Sequence, residues 1–222
     1  MIVTIDGPAG VGKSTAARML ASSLGIAYLD TGATYRAVTL KALRENIELA
    51  DPDAIADLAR HADIRLTCRQ DGVGVTLDGE DVSDDIRSLD VTNNAHYVAG
   101  CAAAREVLVA LQRQIGSELG SFVAEGRDQG SVVFPDADVK FYIDADPEVR
   151  ARRRCDELAA AGKPVALETV LADVLQRDGR DRSRPIAPLV KPDGAIEIDT
   201  TSKTVEQVFG ELLRWVETRR CR

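Results

Sequence analysis

Ile2 to Ile5 is a short β-branched run that ends at Asp6-Gly7, and a helical spacing of apolar positions follows from Lys13 to about Leu24. Ala27-Tyr28-Leu29 reads as a second strand and Tyr35 to Glu45 as a second helix. Later apolar runs are Phe122-Val123-Ala124, Val139 to Ile143 and Ile196-Glu197-Ile198, with helical segments between them. Short buried runs alternating with helices predict an α/β fold, a parallel sheet covered on both faces. In the last helix Val205, Val208, Phe209, Leu212, Leu213 and Val216 fall on one face, the spacing of a helix packed on a core.

One stretch departs from this rhythm. A helix opened by Asp51-Pro52 is followed by Ile64 to Thr67, Asp71-Gly72, Val73 to Leu77, Asp78-Gly79 and Glu80 to Val82. Alternating runs joined by Asp-Gly pairs predict a small antiparallel meander. It reads as a subdomain of residues 63–90 inserted into a single α/β domain spanning 1–222.

Composition narrows the partners. No apolar run approaches the ~18 residues of a membrane span, and Met1 leads into Ile2-Val3-Thr4-Ile5 without a basic leader, so a cytoplasmic protein is expected. Cys68, Cys101, Cys155 and Cys221 are scattered without a C-x-x-C pair and are read as free thiols, not zinc ligands. A net charge of −8 argues against nucleic acid or an anionic membrane as partner. The cations are lopsided, however: lysine occurs only at 13, 41, 140, 163, 191 and 203, and arginines cluster at Arg150 to Arg154 and Arg177 to Arg184. The planar guanidinium fork matches phosphate, so a locally positive cleft for a small polyphosphate is expected.

Gly7-Pro8-Ala9-Gly10-Val11-Gly12-Lys13-Ser14-Thr15 matches G-x-x-x-x-G-K-[ST] between a predicted strand and a predicted helix. In such a loop the glycines let backbone N–H groups wrap a phosphate, and the helix N-terminus adds its positive dipole end. Lys13 is expected to reach the β- and γ-phosphates of ATP, and the Ser14 hydroxyl to bind Mg²⁺. An Asn-Lys-x-Asp guanine reader is absent, as is the Leu-Ser-Gly-Gly-Gln of transport ATPases, which disfavours both classes.

Three further blocks carry a resemblance. Asp30-Thr31-Gly32-Ala33-Thr34-Tyr35-Arg36 resembles the D-[ST]-G-x-x-Y-R segment of bacterial-type cytidylate kinases. Glu125-Gly126-Arg127-Asp128-Gln129-Gly130 with Val132 to Ala137 resembles their G-R-D block, and Arg177 to Arg184 with Ala187-Pro188-Leu189 their R-D-x-x-D-x-x-R…P-L block. Gly79-Glu80-Asp81-Val82-Ser83 matches the family's insertion, so the likeness runs from about Ile2 to Asp199. It implies a five-stranded parallel P-loop kinase core, a monophosphate-binding insertion and a short lid, here residues 150–184. It also implies transfer of the γ-phosphoryl group of ATP to CMP, and to dCMP, with Mg²⁺, in a monomer acting on small nucleotides.

The resemblance carries residue roles as well. Arg36, Arg127 and Arg184 would hold the acceptor phosphate, and Arg153 and Arg154 would fold over the ATP phosphates, the rival reading being a solvated helix face. Glu125 would hold Mg²⁺ through water or serve only as a salt-bridged or capping acid. Asp128, Arg105 and Thr31 are at positions that read cytosine, where a carboxylate accepts from N4 and an arginine donates to N3 or O2. Asp128 is alternatively an ion pair steadying Arg127. Asp181 and Arg177 would contact the ribose. His96 stands where the family often has serine, either sugar-side or packing its helix, and Ala102-Ala103 replace the usual Pro and basic residue before Arg105. His61 ends the helix before the insertion. Shikimate or dephospho-coenzyme A kinase is the enzymatic alternative, and a nucleotide-binding regulator without turnover the class-level one.

Overall fold

A computed structural model describes residues 1–68, 72–160 and 162–220; the expected turn residue Asp71 and the fourth cysteine, Cys221, lie outside them. The described cysteines are free thiols. Strand β1 (Ile2–Asp6) leads through the glycine-rich loop into α1 (Lys13–Leu24), then β2 (Ala27–Asp30) and α2 (Gly32–Arg44). Next come α3 (Pro52–His61), β3 (Ile64–Cys68), β4 (Val73–Leu77), β5 (Glu80–Asp81), α4 (Leu89–Gly100) and α5 (Ala102–Leu119). The chain then runs through β6 (Phe122–Gly126), β7 (Val139–Asp144), α6 (Pro147–Ala160), α7 (Leu167–Ser183), β8 (Ile196–Asp199) and α8 (Val205–Arg220). Five strands form a parallel sheet in the order β2-β6-β1-β7-β8, and β3-β4-β5 form a separate three-stranded sheet.

The chain divides into two compact units, and each is described on its own. The first comprises Met1 and Ala21–Ala124. Here α2 is buried almost all round, through Ala33, Thr34, Tyr35, Ala37, Val38, Thr39, Leu40 and Ala42, because α3 and α4 pack against it. Its start at Gly32 is earlier than the predicted Tyr35, so most of the Asp30–Arg36 motif is helical. The antiparallel meander is present, with Ile64 opposite Leu77 and Cys68 opposite Val73. Alternate residues Val73, Val75 and Leu77 are buried, the period of two expected of a one-sided sheet. Its second Asp-Gly pair makes the tight turn: Asp78 and Gly79 both have positive φ, 51° and 88°, and the Asp78 carboxylate accepts from the Asp63 amide at 2.9 Å.

The second unit comprises Ile2–Leu20 and Glu125–Arg222. β1 pairs in parallel with β7, Val3 opposite Val139 and Asp6 opposite Tyr142, and β7 pairs with β8, Phe141 opposite Ile196. Val3, Ile5, Phe141, Ile143 and Ile198 are all but inaccessible, which is why these strands read as continuous apolar runs. In α8 the buried stripe is Val208, Leu212 and Val216; Val205, expected on that face, is exposed at the first residue of the helix. α6 and α7 pack against each other. Between β6 and β7 the residues Gln129–Val133 form a π-helical turn.

Asp51 is the N-cap of α3, its Oδ1 accepting from Asp53 N at 3.0 Å and Ala54 N at 3.2 Å, with Pro52 at the first helical position. Asp51→Ala is expected to lower unfolding free energy by about 1 kcal/mol in urea melts, and Asp51→Asn by much less.

Candidate active site

The phosphate cradle begins where β1 ends. Gly7 has φ of 149°, and a Cβ there would lie 1.9 Å from the Ile143 carbonyl oxygen, so only glycine lets the chain turn this close to β7. The loop then delivers Val11 and Gly12 to the N-terminus of α1, and Lys13, Ser14 and Thr15 form that helix's first turn. Ser14 and Thr15 are exposed, while Lys13 is 5% exposed and donates to the Pro8 carbonyl at 2.5 Å. Burial is the main force on Lys13, lowering its pKa from 10.5 to about 7; the charge of Arg127 adds to this, and Glu125 and Asp6 oppose it.

Glu125 lies within β6, one residue before its end, and accepts from Ser14 Oγ through Oε1 at 2.5 Å. A hydroxyl and a carboxylate oxygen side by side are the hard donors that Mg²⁺ accepts when phosphates and water complete its shell, so these residues fit the ion. Among the described residues no cluster of three or more acids, histidines or cysteines could hold a metal alone.

Behind the cradle sits a carboxylate that sequence reading missed. Asp6 is fully buried and accepts from the backbone amides of Gln129 at 2.8 Å and Gly130 at 2.7 Å. Burial raises its pKa to about 6, against those two hydrogen bonds, and Asp128 pushes the same way as burial. It thereby fastens the end of β1 to the turn that follows Arg127 and Asp128. The one sequence signal was an acid closing an apolar run.

Arg127 is paired with Asp181, Nε to Oδ2 at 2.9 Å, and its Nη1 reaches the Gly126 carbonyl at 3.3 Å. Burial alone would raise the Asp181 carboxyl; Arg127, with Arg184 and Arg177 nearby, outweighs it and holds the group below its ordinary value. Arg184 donates to the Ala187 carbonyl at 2.9 Å. Asp128 is buried, with Gln129 Nε2 3.4 Å from its Oδ1. This unit therefore gathers Lys13, Ser14, Glu125, Arg127, Arg177, Asp181 and Arg184 around the cradle's charges.

The arginines of α6 are placed variously. Arg153 donates to the Thr200 carbonyl at 2.6 Å and the Lys203 carbonyl at 3.4 Å, and Thr200 Oγ1 in turn donates to the Val11 carbonyl of the cradle at 3.2 Å. Arg154 is half-exposed and pairs with Glu157 at 2.9 Å. Arg152 is a solvated face charge, 66% exposed and 4.0 Å from Glu148. Arg150, the first arginine of this run, is wholly buried against Asp178.

In the other unit Thr31 is buried, and its carbonyl accepts from Thr34 Oγ1 at 2.8 Å and Gln112 Nε2 at 3.4 Å. Gln112, also missed, is fully buried and donates to Thr34 Oγ1 at 2.8 Å. Arg36 pairs with Asp30 at 2.7 Å, and the guanidinium of the buried Arg105 lies 5.5 Å from the centroid of the Tyr35 ring. His96 Nδ1 lies 2.8 Å from the Asn93 carbonyl and its ring 4.2 Å from that of Tyr97, both contacts within α4.

Solved structures share the fold. TT1252 from Thermus thermophilus matches with a TM-score of 0.51 and 18% identity over 98% of this chain and 96% of that one. Shikimate kinase from Bacteroides thetaiotaomicron matches at 0.50 and 11%, over 98% of each chain. A glycine-walled cradle closing on a buried lysine, on a parallel sheet, is the working part of the P-loop kinases. Within that class the model of the cytidylate kinase family matches residues 3–218. Curated cytidylate kinases from Rhodococcus opacus (strain B4) and Caldanaerobacter subterraneus subsp. tengcongensis are 47% identical over 219 residues and 50% over 206 residues. These alignments cover 99% and 93% of this chain, and 96% and 90% of the relatives. The chain belongs to the cytidylate kinase family, a family of ATP-dependent phosphotransferases.

Lys13 supplies a test with a definite sign. Its pKa falls from 10.5 unfolded to about 7 folded, so the unfolded chain binds the extra proton between those values. The folded state is therefore penalised in full below about pH 7, and the penalty fades as pH rises toward 10.5. Lys13→Met should abolish transfer, by at least about 10²–10³-fold in kcat, yet raise the melting temperature of the ligand-free protein. That gain should be largest at pH 6 and shrink steadily up to pH 9. Calorimetric scans across this range check it.

Proposed function

We propose that catalysis in this chain is positional and electrostatic, with no general base. The chain transfers the γ-phosphoryl group of ATP to CMP, giving ADP and CDP; dCMP as a second acceptor and a place in pyrimidine nucleotide metabolism fit the same family. The acceptor is already a phosphate anion, so no side chain need remove a proton. What the reaction requires is two anions held in line, their repulsion neutralised and water excluded.

The roles follow from charge and position. Lys13, with the amides of Gly10 to Thr15, holds the donor phosphates and stabilises charge on the migrating group. Its ammonium, discouraged by burial, is favoured by the charge of the triphosphate, which puts the gain where charge develops. Ser14 and Glu125 would hold Mg²⁺, which would supply charge neutralisation at the donor phosphates. Arg36, Arg127 and Arg184 take the acceptor phosphate, Thr31, Arg105 and Asp128 the cytosine, and Arg177 and Asp181 the ribose. Arg153 and Arg154 serve the ATP phosphates from a lid of residues 150–184, and residues 63–90 form the monophosphate-side insertion. A cytoplasmic monomer without nucleic-acid or membrane partners is the setting that suits the net charge of −8, and no described helix is long and apolar enough to cross a membrane.

The observation that carries this reading is the family match over residues 3–218, seated on a cradle in which Ser14 and Glu125 lie 2.5 Å apart. A coupled assay offering ATP with CMP, UMP, AMP or shikimate tests it: CMP should be the preferred acceptor, and absence of a pyrimidine preference would overturn it.

Asp128 gives the finer prediction. A carboxylate accepts from cytosine N4, whereas uracil presents the O4 acceptor there and leaves two lone pairs opposed. Sites built around such a partner reject the wrong analogue by up to about 10⁴–10⁵-fold. Asp128→Asn should shrink the CMP-to-UMP ratio of kcat/KM, mainly through loss of CMP activity, because an amide can turn its donor to O4. Equal loss for both nucleotides would leave Asp128 with a scaffolding role. Likewise Asp181→Ala should harm CMP more than dCMP, which lacks the 2′-hydroxyl, and kcat/KM for the two acceptors decides it.

A further inference from the structure

The largest fully buried side chain among the described residues is an arginine. Arg150 is 1% exposed, and each edge of its guanidinium is engaged. Nε donates to the Ala145 carbonyl at 3.0 Å, Nη1 to the Ala9 carbonyl at 3.2 Å and to Asp178 Oδ1 at 3.0 Å, and Nη2 to Asp178 Oδ2 at 2.5 Å. A buried ion pair of this kind is a poor source of stability, since an apolar pair of similar volume commonly does as well. Its geometry points to another use.

Ala9 lies inside the cradle, between Gly7 and Gly10. The C=O and N–H of one planar peptide point in opposite directions, so a carbonyl of Ala9 drawn toward Arg150 turns the Gly10 N–H away from it. Gly10 itself rests on the same side chain: with φ of 77°, a Cβ there would meet Arg150 Cβ at 3.4 Å. At its other end the pair is anchored in α7. Asp178 and Asp181 are three residues apart, neighbours on the helix surface, and Asp181 holds Arg127 at 2.9 Å. Arg177, on the same helix, acts electrostatically on both Lys13 and Asp181.

We propose that Arg150 is a positioning residue for phosphoryl transfer, tying the phosphate cradle, through Ala9 and Asp178, to the helix that carries Arg177 and Asp181. The inference rests on the roles given above to the cradle and to Arg127. Its consequence is that filling the cradle steadies α7 and thus the Asp181–Arg127 pair, so ATP and CMP bind with positive coupling.

The test removes the pair without leaving a lone buried charge. Arg150→Met/Asp178→Leu should keep a melting temperature near that of the wild type but lose on the order of 10²-fold in kcat/KM for CMP at saturating ATP, the scale of a small misplacement of reacting groups. Calorimetry gives the readout that a purely structural role would not move. In the wild type a non-hydrolysable ATP analogue should tighten CMP binding at least about five-fold; in the double variant it should leave the Kd unchanged. Arg150→Lys, which keeps the charge without the fork, should show the same loss of coupling and serves if the double variant does not fold. Normal kinetics in either folded variant, or a wild type whose Kd for CMP ignores the analogue, would overturn the proposal. Failure of the cytidylate reading would show earlier and differently, as a wild type that does not phosphorylate CMP.

Discussion

Taking an ammonium group out of water is the demand that shapes the region around the cradle. Lys13 is 5% exposed, and its ammonium donates to the Pro8 carbonyl. An isolated buried charge is so unfavourable that the group tends to neutralise instead, and the pKa near 7 records this. Asp6, equally buried, is displaced the opposite way, to about 6. Two oppositely charged groups are thus each pushed toward neutrality close to physiological pH, an arrangement typical of functional sites and unhelpful to stability. A bound triphosphate reverses the balance, because it brings negative charge to the face where Lys13 lacks it.

Around this centre, arginines are held by main-chain carbonyls as much as by acids. Arg150 reaches Ala145 and Ala9, Arg153 reaches Thr200 and Lys203, and Arg184 reaches Ala187. A guanidinium has several donors fixed in one plane. It can therefore settle an irregular backbone carbonyl and still present a face to another partner, which a lysine does poorly. The scarcity of lysine in this chain is consistent with that division: arginine builds the walls and Lys13 sits where a single compact charge is needed.

Much of this was legible beforehand. The strands stood out because both faces of the parallel sheet are covered, and the cradle because its chemistry demands glycine and lysine at fixed spacing. The Asp78-Gly79 turn and the Asp51 cap were equally plain, since each depends on neighbours in sequence. Asp6, Arg150, Gln112 and Thr200 were not. Their partners are 123, 28, 78 and 189 residues away along the chain, and no local periodicity marks a polar residue whose acceptor or donor arrives from elsewhere. Val205 failed for the converse reason: helical phase alone cannot tell that a residue in the first turn is left exposed. The early start of α2 was hidden by Gly32, a poor helix former that Thr31, with its carbonyl accepting from Thr34, carries into the first turn.

Gly7 has one more implication. Because its Cα lies so near the Ile143 carbonyl, the first residue of the phosphate loop is also, mechanically, a residue of the sheet. The loop inherits the stiffness of the β1–β7 ladder and cannot drift without shearing it. ATP thus arrives at a mould already cast, and the entropy of shaping that corner was spent when the protein folded, not each time a nucleotide binds.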